Sequence, residues 1–347
     1  MDIELLRFRA AVFREIRRFF DERRYLEADT PVLSPDLIPE SCLEVFETRR
    51  LFPGGSREPE PYWLVPSPEI WMKKLIAGHR QSLYQICKCF RNGESAGPFH
   101  SPEFTMLEYY TMDADYLDSL AITEDLFAYL LSRLDGAREP GARPEALVFT
   151  SPGALLQPPF QRISMGEAFG RWAGFDLFQA AAAPGGLEAE ARRLGLDPPP
   201  GLDTGALYDL IFIHAVEPMI PRDRPLAMVD YPAFVPCLAK KKAGGKTAER
   251  WELYVRGIEL ANCYSEETGP EEVRRFFASQ AAAKRETALI PHQVDPDYWK
   301  LFLPKPGPGG RERPFPPCSG VAMGLDRLVM ALAGRSTIDG ALPFPMG

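Results

Sequence analysis

The chain has no CxxC pair and no uninterrupted apolar run of about 18 residues, and it holds only four histidines. Six cysteines (Cys42, Cys87, Cys89, Cys237, Cys263 and Cys318) are scattered, and with the isolated histidines they offer no zinc spacing. Reduced thiols are expected. Cys87 and Cys89 would share one face of a strand, where they read as small buried apolar residues rather than a metal pair. Without a long apolar run, no transmembrane helix is expected. The charged start, MDIELLRFRA, has neither the apolar core nor the small-residue cleavage site of a signal peptide, so a cytoplasmic location is expected. Basic residues do not dominate either. With 40 Lys and Arg against 48 Asp and Glu, the net charge of −8 argues against a broad phosphate-binding surface and a stable nucleic-acid partner.

What is present suits a single large domain over residues 1–347, with a sizeable core. Leu5, Val12, Ile16, Phe19 and Phe20 recur at helical spacing with Arg9 among them, which predicts an amphipathic helix over 5–20. "YLEADTPVLS" predicts a short strand stopped by Pro31, and "FETRRLFPGGSREPEPYWLV" a hairpin around its PGG. In "PSPEIWMKKLI", Ser67 stands where a helix N-cap belongs, with Pro68 in the first turn and Glu69 beside it. Residues 138–205 mix helical stretches with Pro and Gly and predict a helical insertion that packs rather than reacts. Lys240, Lys241 and Lys242 read as a solvated mobile loop.

Three stretches carry groups that could do chemistry. "SLYQICKCF" and "EFTMLEYY" predict antiparallel strands joined by a loop from Asn92 to Pro102. Alternation places Phe104, Met106, Glu108 and Tyr110 on one face, with Arg91 at the strand end as a phosphate-gripping guanidinium. The loop adds Glu94 and His100; a surface hairpin with Arg91 paired to Glu94 is the plainer reading. In "WELYVRGIELANCYSEE", an Arg256-Gly257 turn pairs Val255 with Ile258 and Tyr254 with Glu259, leaving Glu252 diagonal to Glu259. Two neighbouring carboxylates suit a Mg²⁺ that bridges nucleotide phosphates. Asn262, Tyr264 and Glu266 then alternate onto one face. In "GVAMGLDRL", Gly320, Ala322 and Gly324 permit close approach of a ligand, and Arg327 falls in the first turn of a following helix; a structural packing turn is the plainer reading and an anion site the functional one.

Taken in order, these stretches resemble the signature motifs of class II aminoacyl-tRNA synthetases. "YLEADTPVL" with Pro31 is similar to motif 1, "CFRNGE…HSPEFTMLEYY" to motif 2, and "GVAMGLDRL" with Arg327 to motif 3. "SPE", "EFTMLE" and "IELAN…SE" point to the lysine branch, over residues 5–130 and 205–347. Because the catalytic helix begins near residue 5, an anticodon-reading OB-fold is not expected ahead of it. Ala322 stands where the lysyl-tRNA synthetases have glycine. Both departures match a truncated branch that joins (R)-β-lysine to elongation factor P.

The resemblance implies an α+β fold, a mixed and mostly antiparallel sheet flanked by helices, working as a homodimer through motif 1. It implies ATP and Mg²⁺ as cofactors, (R)-β-lysine or lysine as substrate, and elongation factor P as acceptor. Arg91 and Arg327 would be catalytic; Asn92, Glu94, His100, Ser101, Phe104, Glu259, Leu260 and Gly324 would join them on the nucleotide. Glu252 and Glu259 would hold the metal. Ser67, Glu69, Glu108, Tyr110, Asn262, Tyr264, Glu266 and Ala322 would line the amino-acid site. Gly93 occupies the usual place of the motif 2 glutamate, with Glu94 one residue on; Ser101 replaces an asparagine and Cys263 a glycine. Two other readings remain open at this level: a synthetase-like enzyme that charges tRNA or a small amine, and a catalytically silent amino-acid sensor.

Overall fold

Apolar residues three and four apart build the first helix of the computed structural model, which describes residues 3–93, 97–135 and 153–345. In α1 (Ile3–Glu22), Leu5, Phe8, Val12, Ile16, Phe19 and Phe20 are buried along one stripe. Short β1 (Leu26–Glu27) and β2 (Leu33–Ser34) lie on either side of Pro31. β3 (Glu47–Arg50) and β4 (Glu60–Leu64) pair across the PGG turn, and β2 joins the other edge of β4. One local expectation fails at α2 (Glu69–His79): Pro68, not Ser67, occupies the capping position, and no side chain caps the helix. Proline's fixed φ and missing N–H make it a workable start without a hydroxyl.

β5 (Leu83–Phe90) and β6 (Glu103–Met112) are antiparallel, with Cys89, Cys87, Gln85 and Leu83 opposite Phe104, Met106, Glu108 and Tyr110. α3 (Tyr116–Asp135) packs beside α1. The described part of the 138–205 segment holds α4 (Gly153–Leu156), β7 (Gln161–Ser164), α5 (Met165–Ala168), α6 (Leu177–Ala182) and α7 (Gly186–Arg193). α8 (Thr204–Ile211) follows, and it shares a separate apolar cluster around Phe169, Leu187 and Tyr208. The segment is mainly helical, yet β7 pairs in parallel with β8 (Leu226–Pro232) at the sheet edge. "QRIS" has a single apolar residue, Ile163, and so no alternation to read.

β9 (Thr247–Val255) and β10 (Ile258–Ser265) turn at Arg256 and Gly257, whose φ values of 56° and 75° suit a two-residue hairpin. Val255 faces Ile258 and Tyr254 faces Glu259, as the sequence predicts. A bulge between Glu259 and Ala261 then shifts the register and brings Glu252 opposite Asn262. After α9 (Pro270–Thr287) and the small β11 (Lys305–Pro306) and β12 (Glu312–Arg313) ribbon, β13 (Cys318–Gly324) enters the middle of the sheet. It leads into α10 (Leu325–Leu332). Gly334, at φ 65°, closes α10: its N–H reaches the Ala331 carbonyl while that of Arg335 reaches Met330.

The main sheet runs β1-β5-β6-β13-β10-β9-β8-β7. Only its outermost pairs, β1 with β5 and β7 with β8, are parallel among the described strands. The expected α+β class, a mixed and mostly antiparallel sheet with helices, is therefore the fold. On one face Leu107, Tyr109, Val321, Met323 and Leu253 pack against Phe19, Phe20, Leu126 and Phe127 of α1 and α3. Alternation leaves Met106, Glu108 and Tyr110 on the opposite face. There α2, α9 and the turn Tyr298–Phe302 close one end with Ile70, Ile76, Phe277 and Tyr298.

Arg9 sits in the apolar stripe of α1 because α10 supplies a carboxylate. Its Nη1 lies 2.5 Å from Asp326 Oδ1, and its Nη2 donates to Thr105 Oγ1 at 2.8 Å. Asp326 Oδ2 accepts the Thr105 N–H at 2.6 Å, so α1, β6 and α10 share one buried polar joint. Arg9→Met would strand a buried carboxylate, and an unfolding loss of about 3–5 kcal/mol is expected in urea. Adding Asp326→Asn should recover part of it, since no charge then stays buried. Full stability of the single variant would contradict this role for the joint.

Candidate active site

The site is built from two transverse rows on the open face of the sheet. Residues directly opposite in antiparallel strands present side chains to the same face. One row runs Gln85, Glu108, Ala322, Asn262, Glu252; the next runs Leu83, Tyr110, Gly320, Tyr264, Arg250. β13 contributes only small residues to the middle of both, so the floor is low and its two sides are polar. A Cβ on Gly320 would stand 2.5 Å from both Glu266 Oε1 and Tyr110 Cε1, which is why glycine is required there.

A cavity of about 290 Å³ opens at one end of this floor. Its wall includes Arg91, His100, Ser101, Phe104, Glu259, Leu260, Asn262, Ala322, Gly324 and Arg327, ten of the residues singled out from sequence. Met106, foreseen on the same strand face, also lines it, and Phe99, Ala261, Asp326 and Ile338 line it without having been foreseen. The Arg91 guanidinium lies 5.3 Å from the centre of the Phe104 ring. Arg327 donates from Nε to the Phe99 carbonyl at 3.1 Å and from Nη1 to the Glu259 carbonyl at 2.6 Å. Carbonyls orient a guanidinium without neutralising it, so its charge remains for an anion. Ser101 Oγ is buried without a hydrogen-bond partner among the described residues, as a group awaiting a ligand would be.

Glu259 lines the same cavity, and its carboxylate has no hydrogen bond or ion pair among the described residues. Burial, then the nearby Glu252, push its acid form up to about 7. Glu252 is better compensated: Oε1 accepts from Arg250 Nη2 at 2.5 Å and Oε2 from the Tyr254 hydroxyl at 2.7 Å. Arg250, itself over the rings of Tyr231 and Tyr264 at 4.4 and 5.4 Å, is a partner that the sequence did not announce.

Beyond Ala322 the floor continues into a closed cluster of acids. Glu108 is buried and accepts the Tyr110 hydroxyl at 2.7 Å; burial, then Glu69, raise its pKa well above the ordinary carboxylate range. Glu266 is buried too, and desolvation pushes it up to about 7 against the opposing pull of Lys73. Lys73 Nζ lies 2.5 Å from Glu69 Oε1 and 2.6 Å from Glu266 Oε2. One turn beyond Glu69 on α2, it is the only cation bonded to either acid among the described residues; the i,i+4 spacing was the sequence signal for it.

Several expected residues stand elsewhere. Asn92 turns away from the cavity: its Nδ2 donates to the Val45 carbonyl at 3.3 Å and its Oδ1 accepts the Gly93 N–H at 2.9 Å. Glu94 lies outside the described residues. Ser67, Glu69, Glu108, Tyr110, Glu252, Tyr264 and Glu266 do not line the cavity. Of the lysine run, Lys242 is not loose: it sits 2.9 Å from Asp230 Oδ1 and 3.0 Å from the Tyr116 hydroxyl. All six cysteines are free, with Cys89 buried, Cys87 half-buried and Cys42 exposed.

Comparison with known proteins gives the family. The family "tRNA synthetases class II (D, K and N)" matches residues 3–347. A protein of Avibacterium paragallinarum named "Elongation factor P--(R)-beta-lysine ligase" is 33% identical over 99% of this chain and 95% of its own. One of the same name from Vibrio parahaemolyticus is 34% identical over 99% of this chain and 97% of its own. Another, from Yersinia enterocolitica, is 33% identical over 98% and 94%. With two arginines and an aromatic plate at one end of an antiparallel floor, and a match along nearly its whole length, the chain belongs to the class II tRNA synthetase family.

Proposed function

We propose that this protein is an ATP-dependent ligase that activates (R)-β-lysine and joins it to a lysine ε-amine of elongation factor P. The observation that carries the substrate class is the cluster of acids formed by buried Glu108 and Glu266 and partly buried Glu69 of α2, beside the arginine-lined cavity. Buried carboxylates in that number call for cations, and a diamino acid brings two. The relatives named as (R)-β-lysine ligases of elongation factor P support the acceptor and the isomer.

In the first step the substrate carboxylate attacks the α-phosphorus of ATP, the bond to the bridging oxygen breaks, and pyrophosphate leaves with that electron pair. Arg91 and Arg327 would hold the phosphates in line and stabilise the charge that builds on them. Phe104 would stack the adenine, with His100 and Ser101 on the phosphate and ribose side. Glu259, with no bonded cation among the described residues, fits a Mg²⁺ ligand, with Glu252 behind it; the ion would neutralise phosphate charge when bound. In the second step the acceptor amine attacks the acyl carbon and AMP departs. Glu108, Tyr110, Asn262 and Glu266 would receive the side-chain ammonium, and Ser67 and Glu69 the amine nearer the carboxylate. Ala322 places its methyl between Glu108 and Asn262, where it would bias the pocket between isomers by about 1–3 kcal/mol.

Leu26, Val32 and Leu33, at 49%, 37% and 44% exposure around Pro31, support a homodimer face at motif 1. No described helix is long and apolar enough to cross a membrane, and the −8 charge fits a protein partner rather than bulk nucleic acid. A cytoplasmic site of action follows from a translation factor as substrate.

Amino-acid-dependent ATP–pyrophosphate exchange tests the activation step: (R)-β-lysine or α-lysine should support it and monoamino acids should not. Exchange with none would contradict the reading. Because a bound ammonium favours the ionised form of Glu266, the KM for the diamino acid should rise about tenfold per unit as pH falls below about 7. A flat profile between about pH 6 and 8 would contradict that role. Gly320→Ala should raise that KM by displacing Tyr110 and Glu266 while leaving the KM for ATP within about twofold; equal damage to both would refute the division of the floor.

A further inference from the structure

We propose that Lys73 serves as a resident ammonium of the amino-acid pocket, holding Glu69 and Glu266 in place to receive the ammonium groups of a diamino acid. The proposal rests on the diamino-acid reading above and concerns a residue that reading does not use. Lys73 is 1% exposed on α2, and its Nζ bridges Glu69 of its own helix and Glu266 at the end of β10, at 2.5 and 2.6 Å. Burial alone would favour a neutral amine, but the two carboxylates outweigh it and keep the group charged.

Glu69, Glu108 and Glu266 are three acids served by one resident cation, Lys73, and burial favours the protonated forms of Glu108 and Glu266 in the free protein. The two ammoniums of a diamino acid supply counter-charge that Lys73 alone does not, while the substrate carboxylate lies toward Arg91. A monoamino acid brings one cation fewer to the same buried acids, which low-polarity surroundings penalise. The other groups around the bridge bring no cation to it. Tyr298 and Cys318 are held in their neutral forms by burial, Tyr110 is bonded to Glu108, and Glu40 and Glu267 add acidity rather than positive charge.

Lys73 also ties two acids that would meet opposite ends of the substrate. An ammonium is a compact charge with three donors, so it can hold Glu69 and Glu266 at once without a planar preference. It touches neither nucleotide nor reacting carbon and is a positioning residue acting through the two glutamates.

The test compares Lys73→Met, Lys73→Arg and Lys73→Ala in the exchange reaction. Lys73→Met should raise the KM for (R)-β-lysine or α-lysine by at least about tenfold while the KM for ATP stays within about twofold. Lys73→Arg should exceed Lys73→Met in kcat/KM for the diamino acid, because charge rather than length is what matters. In Lys73→Ala, n-propylammonium should restore exchange and 1-propanol should not. A diamino-acid KM unchanged in Lys73→Met, Lys73→Met equal to or better than Lys73→Arg, or rescue by both additives alike would overturn the proposal. A Lys73→Ala protein that fails to fold leaves the Arg and Met comparison to decide. Failure of the unaltered protein to exchange with either isomer would instead overturn the substrate reading and the proposal with it.

Discussion

Everything at the amino-acid end of the site depends on keeping buried carboxylates close together. Glu108 and Glu266 are almost inaccessible, and Glu69 acts on both. A folded chain tolerates such crowding only with compensating cations and donors, and this one supplies Lys73 and the Tyr110 hydroxyl without completing the set. The shortfall stays in the free protein as raised pKa values, and a cationic ligand relieves it. On the proposed reading, affinity for a diamine comes from this unfavourable electrostatics of the acid cluster.

The sheet makes that arrangement possible. β13 carries glycine and alanine across the centre of the floor, which lets the acidic rows of β6 and β10 face one another over a shallow surface. The bulge in β10 re-aims the strand so that Asn262 lies opposite Glu252 while Glu259 still meets Tyr254. Behind the floor, the Arg9, Thr105 and Asp326 joint fixes the start of α10 and with it Arg327. The two ends of the floor to which we assign phosphate and ammonium binding are therefore built on one sheet, as activation of a carboxylate against a phosphate requires.

Much of this was legible in the sequence because it lives in short periods. Strand alternation gave the shared face of Phe104, Met106, Glu108 and Tyr110, and the Arg256-Gly257 pair gave the hairpin and its first two partners. What escaped was non-local or locally ambiguous. The shift at Leu260 depends on how three strands settle together, and no residue in "IELAN" signals a bulge. Lys73 looks like an ordinary surface lysine in "WMKKLI" until Glu266, far along the chain, closes over it. Arg9 among the leucines and phenylalanines of α1 has its reason in α10. Ser67 reads as a cap by local rules, but Pro68 takes the position. For Arg9 and Lys73, a buried charge is explained by a partner remote in sequence, with Glu69 the one near partner of Lys73.

The central claim is that an acid-lined pocket and a phosphate cavity on one floor serve transfer of a diamino acid to a protein. The most direct measurement is the intact mass of elongation factor P after incubation with this protein, ATP and (R)-β-lysine. The account predicts a gain of one β-lysyl group at a single lysine, dependent on ATP. An unchanged mass, alongside aminoacylation of a lysine tRNA by the same preparation, would contradict it.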